Sequence, residues 1–155
     1  VASHVPFLLD AERGAHGTLV GHLARANPQW HGFAGEAMVV FWGPHGYVSP
    51  RWYAGAPNVP TWNYAVVHAY GTPRVIDDAA VALEVVRRLT DEYERGLERP
   101  WSVDEVPAEY TEKLLRAIVA FEIPIARLEG KFKLNQNKSA ADRAGVVAAL
   151  AGENE

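Results

Sequence analysis

The sequence contains no cysteine, so disulfide bonds and thiolate metal sites are both excluded. It also has no long apolar run. Uninterrupted stretches such as residues 37–42 are far too short to cross a bilayer, and no basic-then-apolar signal opens the chain. We therefore expect a protein of the reducing cytoplasm rather than a membrane protein or a disulfide-stapled scaffold.

Several catalytic signatures are missing as well. The chain has no GxxxxGK[ST] or GxGxxG phosphate loop, no GxSxG nucleophile elbow and no HExxH zinc motif. All six histidines lie in the first 68 residues, and His16, His22 and His31 invite a metal hypothesis. Their spacing favours ordinary surface or hydrogen-bonded core histidines, so no metal site is predicted.

The length of 155 residues and the 48% hydrophobic content fit one domain with a hydrophobic core. We predict this domain over residues 1–150, with a helical insert at about 78–120 and a C-terminal helix at about 139–150. Residues 151–155 are expected to fray. Because residues 1–9 already read as a strand, we expect earlier strands to be missing from this chain.

Charge is divided unevenly along a chain whose formal net charge is -4. Residues 77–113 hold five Lys/Arg against eleven Asp/Glu, whereas residues 114–155 hold six against five. Broad, non-specific binding to nucleic acid needs a dense basic surface, which this balance argues against. The local cations of EGKFKLNQNKSAADR, residues 129–143, suit a single phosphate group better than a polyanion.

The apolar pattern has period two in the first half and period 3.6 later. Strands are predicted at 17–25, half-buried, and at 36–42 and 63–71, with a turn at 43–46 leading into a short extended piece at 47–49. Helices are predicted at 78–95, capped by Asp77 or Asp78, from Pro107 onward, and at 139–150, where Ser139 and Asp142 resemble a capping box. A further strand is predicted at 121–133. This order favours an α+β or mainly β fold, including a β-barrel with appended helices.

Side chains would have to hold any phosphate, and the basic candidates are Arg25, Lys131, Lys133, Lys138 and Arg143. A solvated edge strand explains the lysines equally well, because edge lysines discourage aggregation. Four of the five tryptophans lie between residues 30 and 62, where aromatic side chains can form either a core or a slot for a planar ring. An aromatic wall with polar heads and cations suits a phosphorylated aromatic cofactor.

Four ordered motifs carry a resemblance to a known family. They are GHLARANPQW (21–30), FWGPHGYVSPRWY (41–53), VPTWNYAVVHAYG (59–71) and FEIPIARLEGKFKLNQNKSAADRAGV (121–146). Together they resemble the PaiB family of FMN-binding negative transcriptional regulators, whose fold is a split β-barrel like that of pyridoxamine-phosphate oxidase. The resemblance covers nearly the whole chain. It implies FMN as the cofactor and an FMN-binding split β-barrel with appended helices, in which residues 1–10 are an interior strand.

The resemblance also implies site residues. It assigns the FMN phosphate to His22, Arg25 and Asn27, and the flavin ring to the strand that contains Thr61, Trp62 and Asn63. The KFKLNQN segment contributes Lys131, Lys133, Gln136 and Asn137. Related barrels form homodimers with the cofactor at the interface, so a homodimer is expected here too.

Three functions stay open at this point. The first is a flavin-responsive repressor, although the sequence shows no helix-turn-helix signal and its helices are acidic, so DNA binding has no independent support. The second is an FMN-dependent oxidoreductase, in which the flavin does the electron chemistry. The third is a cofactor-free dimeric binding protein. No residue identifies a catalytic acid, base or nucleophile, and haem, which some related barrels bind, is a competing ligand.

Overall fold

The computed structural model describes residues 2–152, which form two compact units. The first unit contains the described residues up to Met38 together with Ala69–Leu128. The second contains Val39–His68 and the described residues from Glu129 onward. Within residues 2–152, no helix is both long enough and apolar enough to cross a membrane.

Strands dominate the first half of the chain, and helices separate them later. The strands are β1 (Leu8–Asp10), β2 (Thr18–Ala24), β3 (Ala37–Val48), β4 (Thr61–Gly71), β5 (Arg74–Val75), β6 (Ile118–Pro124) and β7 (Arg127–Lys133). The α-helices are α1 (Ala79–Glu94), α2 (Ala108–Leu115) and α3 (Ala140–Gly152). Short 3₁₀ turns span Pro28–Gly32, Pro50–Trp52 and Val103–Glu105. The mixed, mainly β architecture confirms the predicted fold class.

The first unit is built on an antiparallel sheet with strand order β1-β2-β6-β5. Helix α1 covers one face, where Val20 packs against Val85 and Leu89. Leu19 of β2 and its pairing partner Ile123 of β6 are buried as well, so both faces of these strands are covered. The prediction of a half-buried strand at 17–25 is therefore wrong in burial, although its position is confirmed.

The start of the chain forms less strand than its composition indicates. Only Leu8–Asp10 pairs, with Thr18–Val20 of β2, and residues 2–7 have no regular structure. Pro6 has no N–H to donate to a ladder, which limits pairing before Phe7. Phe7 instead packs edge-on against Phe121, with ring centroids 5.8 Å apart.

The helix predictions are confirmed where a local cap defines them. The Asp78 side chain accepts hydrogen bonds from the N–H groups of Ala80 and Val81, at 2.8 and 3.1 Å, and α1 begins directly after it. Helix α2 begins after Pro107 as predicted. The helical segment ends before residue 120, because Ile118 already pairs with Ala24 in β6.

One strand prediction and one turn prediction are wrong. Residues 121–133 do not form one strand, because β6 ends at Pro124 in one sheet and β7 begins at Arg127 in another, of order β3-β4-β7. Residues 43–46 do not form a turn, because β3 runs through them. Pro44 is tolerated there since β3 is an edge strand, and a Cβ on Gly43 would lie 3.3 Å from Ala65 of β4.

The second unit has its own small core, in which Val146 of α3 packs with Val48 and Tyr53. The Ser139 hydroxyl accepts a hydrogen bond from the Asp142 N–H at 3.1 Å and donates one to its carboxylate at 2.9 Å. This reciprocal pair confirms the predicted helix start. Helix α3 continues to Gly152, and the remainder of the predicted frayed tail lies outside the described residues.

Candidate functional site

The second unit presents a group of aromatic rings on β3 and β4. The His45 imidazole stacks on the Trp62 ring with centroids 6.0 Å apart and planes inclined by 24°. Trp42 meets His45 edge-on at 5.9 Å and Tyr64 at 6.5 Å. Trp42 is 66% exposed and Trp62 is 47% exposed. Large exposed rings on adjacent strands offer a flat apolar surface to a planar ligand.

A cation lies at the start of the same strand β4. The Lys133 ammonium of β7 donates a hydrogen bond of 2.5 Å to the Thr61 hydroxyl, and Thr61 immediately precedes Trp62. Both side chains were predicted as cofactor contacts, and the fold brings them together from 72 residues apart. A lysine ammonium beside a hydroxyl is a suitable pair of donors for a phosphate oxygen.

Asn63, the next residue of the predicted strand, has an unsatisfied acceptor. Its side-chain oxygen is buried and has no hydrogen-bond partner among the described residues. Leaving a buried polar atom unpaired costs free energy, so such atoms frequently mark a place where a ligand or water pairs with the protein. Thr61 and Asn63 thus supply a hydroxyl and a free acceptor on one face of β4, and Trp62 supplies an apolar surface on the other.

The segment after β7 divides between structural and exposed positions. Asn135 adopts a left-handed backbone conformation with φ of +59°, which asparagine tolerates, and its buried side chain lies 3.4 Å from the Tyr53 hydroxyl. The Gln136 amide accepts from the Leu134 N–H at 2.8 Å and donates to the Phe132 carbonyl at 2.7 Å. The predicted contact Gln136 therefore closes the turn itself.

Lys131 and Asn137 are exposed. Lys131 lies on β7, an edge strand whose residues are all exposed, as the edge-strand interpretation predicts. Lys138 lies differently, because its ammonium donates to the Asn58 amide oxygen at 2.6 Å and lies 4.7 Å from the Tyr53 ring centroid.

Sequence reasoning missed His45 as a site residue. His45 lies in the sequence GPHG, which is typical of a turn. Local propensity therefore does not indicate that this residue lies on a strand. The alternation of Tyr47, His45 and Gly43 would have been the only signal, and the small Gly43 weakens it. Asn58 gave no signal because its partner Lys138 is 80 residues away.

The other three predicted contacts lie in the first unit. The Asn27 side chain accepts from the Gln29 N–H at 3.0 Å and donates to the Ser3 hydroxyl at 2.8 Å, so it caps the 3₁₀ turn after β2. Arg25 donates from Nε to the Arg116 carbonyl at 2.9 Å and from Nη2 to the Ile118 carbonyl at 2.8 Å. Both side chains therefore use several of their hydrogen-bond donors and acceptors within the fold.

His22 lies on β2 opposite Ala120. Its Nδ1 atom is buried and has no hydrogen-bond partner among residues 2–152. Burial lowers the pKa of His22 below its usual 6.5, because desolvation disfavours the charged imidazolium. A neutral imidazole is a weak phosphate ligand compared with an ammonium or guanidinium group.

Comparison with known proteins supplies the family. Residues 1–127 match the family described as "Putative FMN-binding domain". The chain is 34% identical over 155 residues to the protease synthase and sporulation protein PAI 2 of Bacillus subtilis, covering 99% of this chain and 73% of that protein. It is also 34% identical over 183 residues to an uncharacterized protein of Emericella nidulans, covering 94% of this chain and 73% of that one.

Two solved structures share the fold. The FAD and heme binding protein from Mycobacterium smegmatis superposes with a TM-score of 0.59 and 23% identity, over 85% of this chain and 60% of that one. The flavocytochrome Anf3 from Azotobacter vinelandii superposes with a TM-score of 0.52 and 19% identity, over 82% of this chain and 56% of that one. The chain thus spans about three fifths of these solved proteins. With the matches above, it belongs to the PaiB-like FMN-binding family, which has a split-barrel fold.

Proposed function

We propose that this chain is an FMN-binding regulator of the PaiB type, and that the second unit contributes the main cofactor contacts. In this proposal the flavin ring lies against the Trp42 and Trp62 surface. Lys133 and Thr61 hold the phosphate. The observation that supports it best is the Lys133–Thr61 hydrogen bond of 2.5 Å at the start of the strand that carries Trp62.

The donor set of this group fits FMN. The phosphate is anionic and suits the Lys133 ammonium, whereas the ring is flat and suits an exposed indole. The unpaired Asn63 oxygen shares a face of β4 with Thr61, so it is an acceptor for a polar group of the ligand on that side of the strand. When bound, FMN would supply the electron chemistry, and the protein would supply binding and orientation. Lys131 and Asn137 are secondary candidates, since they are exposed nearby in sequence.

The predicted contacts of the first unit have weaker support. Asn27 is engaged at both ends of its amide, and two nitrogens of Arg25 already donate to backbone carbonyls. Burial leaves His22 neutral at physiological pH. These three residues stay predictions as phosphate ligands, and the second-unit group is the one to test first.

We further propose that the protein acts as a cytoplasmic homodimer with the cofactor at the subunit interface. The exposed apolar side chains of the second unit support this, because Trp42, Tyr47 and Phe132 are 66%, 48% and 60% exposed. Aromatic residues are enriched in protein interfaces, and monomers rarely expose such groups together. The oligomeric state follows from sedimentation equilibrium, where a monomeric FMN-loaded protein would overturn this part of the proposal.

An FMN-dependent oxidoreductase is the second candidate, and His45 favours it. This imidazole stacks on Trp62, inside the aromatic group that we assign to the flavin ring. An imidazole at that position has one nitrogen that donates and one that accepts a hydrogen bond, both within reach of a redox cofactor on this surface. Reduction of the bound flavin by NADH or NADPH, followed by turnover with an acceptor, would favour the enzyme. Specific, salt-sensitive DNA binding would favour the regulator.

The binding proposal is tested by titrating FMN into the purified protein and following the quenching of flavin fluorescence. Removing one charge-assisted hydrogen bond costs about 1.5–3 kcal/mol, so Lys133→Met should weaken FMN binding by roughly 10- to 150-fold. Lys113→Met is the matched control, because Lys113 lies exposed on α2 in the other unit. Equal FMN affinity of both variants would overturn the assignment of Lys133. If the wild-type chain retains no FMN, the cofactor proposal itself is wrong.

A further inference from the structure

The first unit contains a cavity of about 590 Å³ that the proposed function does not use. It lies among β5, β6, α1 and α2. Apolar side chains such as Ile76, Ala82 and Leu115 line most of it, and Arg25 and Glu112 are among its charged residues. Small-molecule sites typically occupy 300–1,000 Å³, with apolar walls and a few fixed polar groups. The cavity therefore has the size and lining of a ligand site.

Arg25 is held rigidly at this cavity. Its Nε and Nη2 atoms donate to the carbonyls of Arg116 and Ile118 at 2.9 and 2.8 Å, and its guanidinium lies 5.9 Å from the Trp30 ring centroid. The Trp30 indole N–H in turn donates to the Arg25 carbonyl at 3.0 Å. Among residues 2–152, no carboxylate pairs with Arg25 and Nη1 has no hydrogen-bond partner. An arginine that is already fixed and has a free donor loses little side-chain conformational entropy when it binds an anion.

The other charged side chains at the cavity limit the net charge of the anion that it can bind. Asp77 and Glu112 are both lining residues, and Glu112 lies 4.0 Å from the Arg116 guanidinium. The lining thus has two positive and two negative side chains, and among residues 2–152 neither Arg25 nor Asp77 has an ion-pair partner. Carboxylates beside the cavity repel a dianionic phosphate more than a singly charged group. A monoanion is the better match.

We propose that this cavity is a second ligand site, which binds a small molecule with an apolar body and a single carboxylate. The carboxylate pairs with Arg25, and the apolar body lies against the side chains of Ile76, Ala82 and Leu115. Such a ligand would be distinct from FMN and would give the protein a small-molecule input besides the flavin.

A purely structural role for Arg25 makes a different prediction. Arg116 follows the last residue of α2, so Arg25 also satisfies a carbonyl at the end of that helix. If this were its only role, the cavity would bind apolar molecules without regard to their charge. The two interpretations therefore differ in charge discrimination, which is directly measurable.

The probe is 1-naphthoate, with the neutral isostere 1-naphthamide as its matched comparison, titrated into the full chain by isothermal titration calorimetry. We expect the wild type to bind naphthoate at least about tenfold more tightly than naphthamide, because a hydrogen bond to a charged partner is worth about that factor. Naphthoate binding should be the same in FMN-free and FMN-saturated protein. The titration of FMN-free protein separates the inference from the flavin proposal, because it can be read even if no FMN binds.

Three variants and one control variant locate the probe. Arg25→Gln should reduce the preference for naphthoate to about twofold or less, and Arg25→Lys should retain most of it. Ala82→Phe should fill the cavity and weaken both probes, without touching any charged group. Arg99→Gln, at an exposed arginine outside the cavity lining, is the matched control and should behave as wild type. Circular dichroism of each variant checks that α2 remains folded.

Four results would overturn the inference. They are wild-type protein that binds no naphthoate, equal affinity for naphthoate and naphthamide, Ala82→Phe protein that binds both probes as tightly as wild type, and displacement of naphthoate by FMN. The last result would assign the cavity to the flavin instead. If Arg25→Gln loses its fold, the isostere comparison in the wild type and the Ala82→Phe variant still decide the question.

Discussion

Substitution of Gly145 by alanine tests how closely α3 approaches the turn before Tyr53. Gly145 lies inside α3, where alanine would ordinarily be the better helix former by about 1 kcal/mol. A Cβ at this position would clash with the Trp52 carbonyl oxygen. Because that oxygen belongs to the backbone, no side-chain rotation relieves the contact, and α3 or the turn has to move.

The expected magnitude follows from these two opposing terms. Overpacking a well-packed site typically costs 1–3 kcal/mol, and a backbone clash of this depth belongs at about 3 kcal/mol. Subtracting the gain in helix propensity of about 1 kcal/mol leaves a loss of about 2 kcal/mol. For a chain of this size, that loss lowers the melting temperature by roughly 4–8 °C.

Urea unfolding followed by circular dichroism measures the change in the free energy of unfolding. Gly152→Ala is the matched control, since Gly152 ends the same helix and a Cβ there would meet nothing within 4 Å. The control should be as stable as wild type or slightly more so. A Gly145→Ala protein at least as stable as wild type would show that the close approach to Trp52 is not a constraint on this helix.

Three further predictions concern caps and titrating groups. Asp78→Ala should cost about 1 kcal/mol of unfolding free energy in urea titrations, because Asp78 caps α1, whereas the neighbouring Asp77→Ala should cost little. Burial lowers the pKa of His22, so as pH drops below about 6.5 the imidazole of the unfolded chain is protonated before that of the folded protein, and the free energy of unfolding should fall. If the free energy of unfolding of His22→Gln depends on pH as steeply as that of the wild type, this prediction is contradicted. Hydrogen bonds from the Ser139 hydroxyl and the Gly55 N–H lower the pKa of Asp142, so its stabilising contribution should be lost as pH falls below about 3.8. Ser139→Ala should flatten that acid limb in thermal melts, and an unaltered limb would refute the role of Ser139.

Local signals in the sequence predicted much of the secondary structure. Asp78 and the Ser139–Asp142 pair act within one helical turn, so their effect is readable from neighbouring residues alone. The strand at 63–71 is confirmed for the same reason, because its alternation and its bounding Gly71 are local. The family resemblance is confirmed by the family match over residues 1–127 and by the 34% identity to the Bacillus subtilis PAI 2 protein over 99% of this chain.

Predictions failed where distant pairing overrides local preference. The dipeptide Gly43-Pro44 favours a turn, but β4 lies beside β3 and the strand continues through it. The run 121–133 alternates throughout, yet its two halves pair in different sheets. Propensities of about 1 kcal/mol are smaller than the combined free energy of ladder hydrogen bonds and burial, so tertiary context decides such segments.

The sequence alone determined the composition of the candidate site: an acidic chain, a local group of cations and amides, and aromatic residues concentrated before residue 65. Only the tertiary structure decided which of those groups meet. It pairs Lys133 with Thr61 across 72 residues and fixes Arg25 on the carbonyl of Arg116 across 91 residues. Contacts over such separations depend on how strands pair and helices pack, and no window of neighbouring residues contains that information.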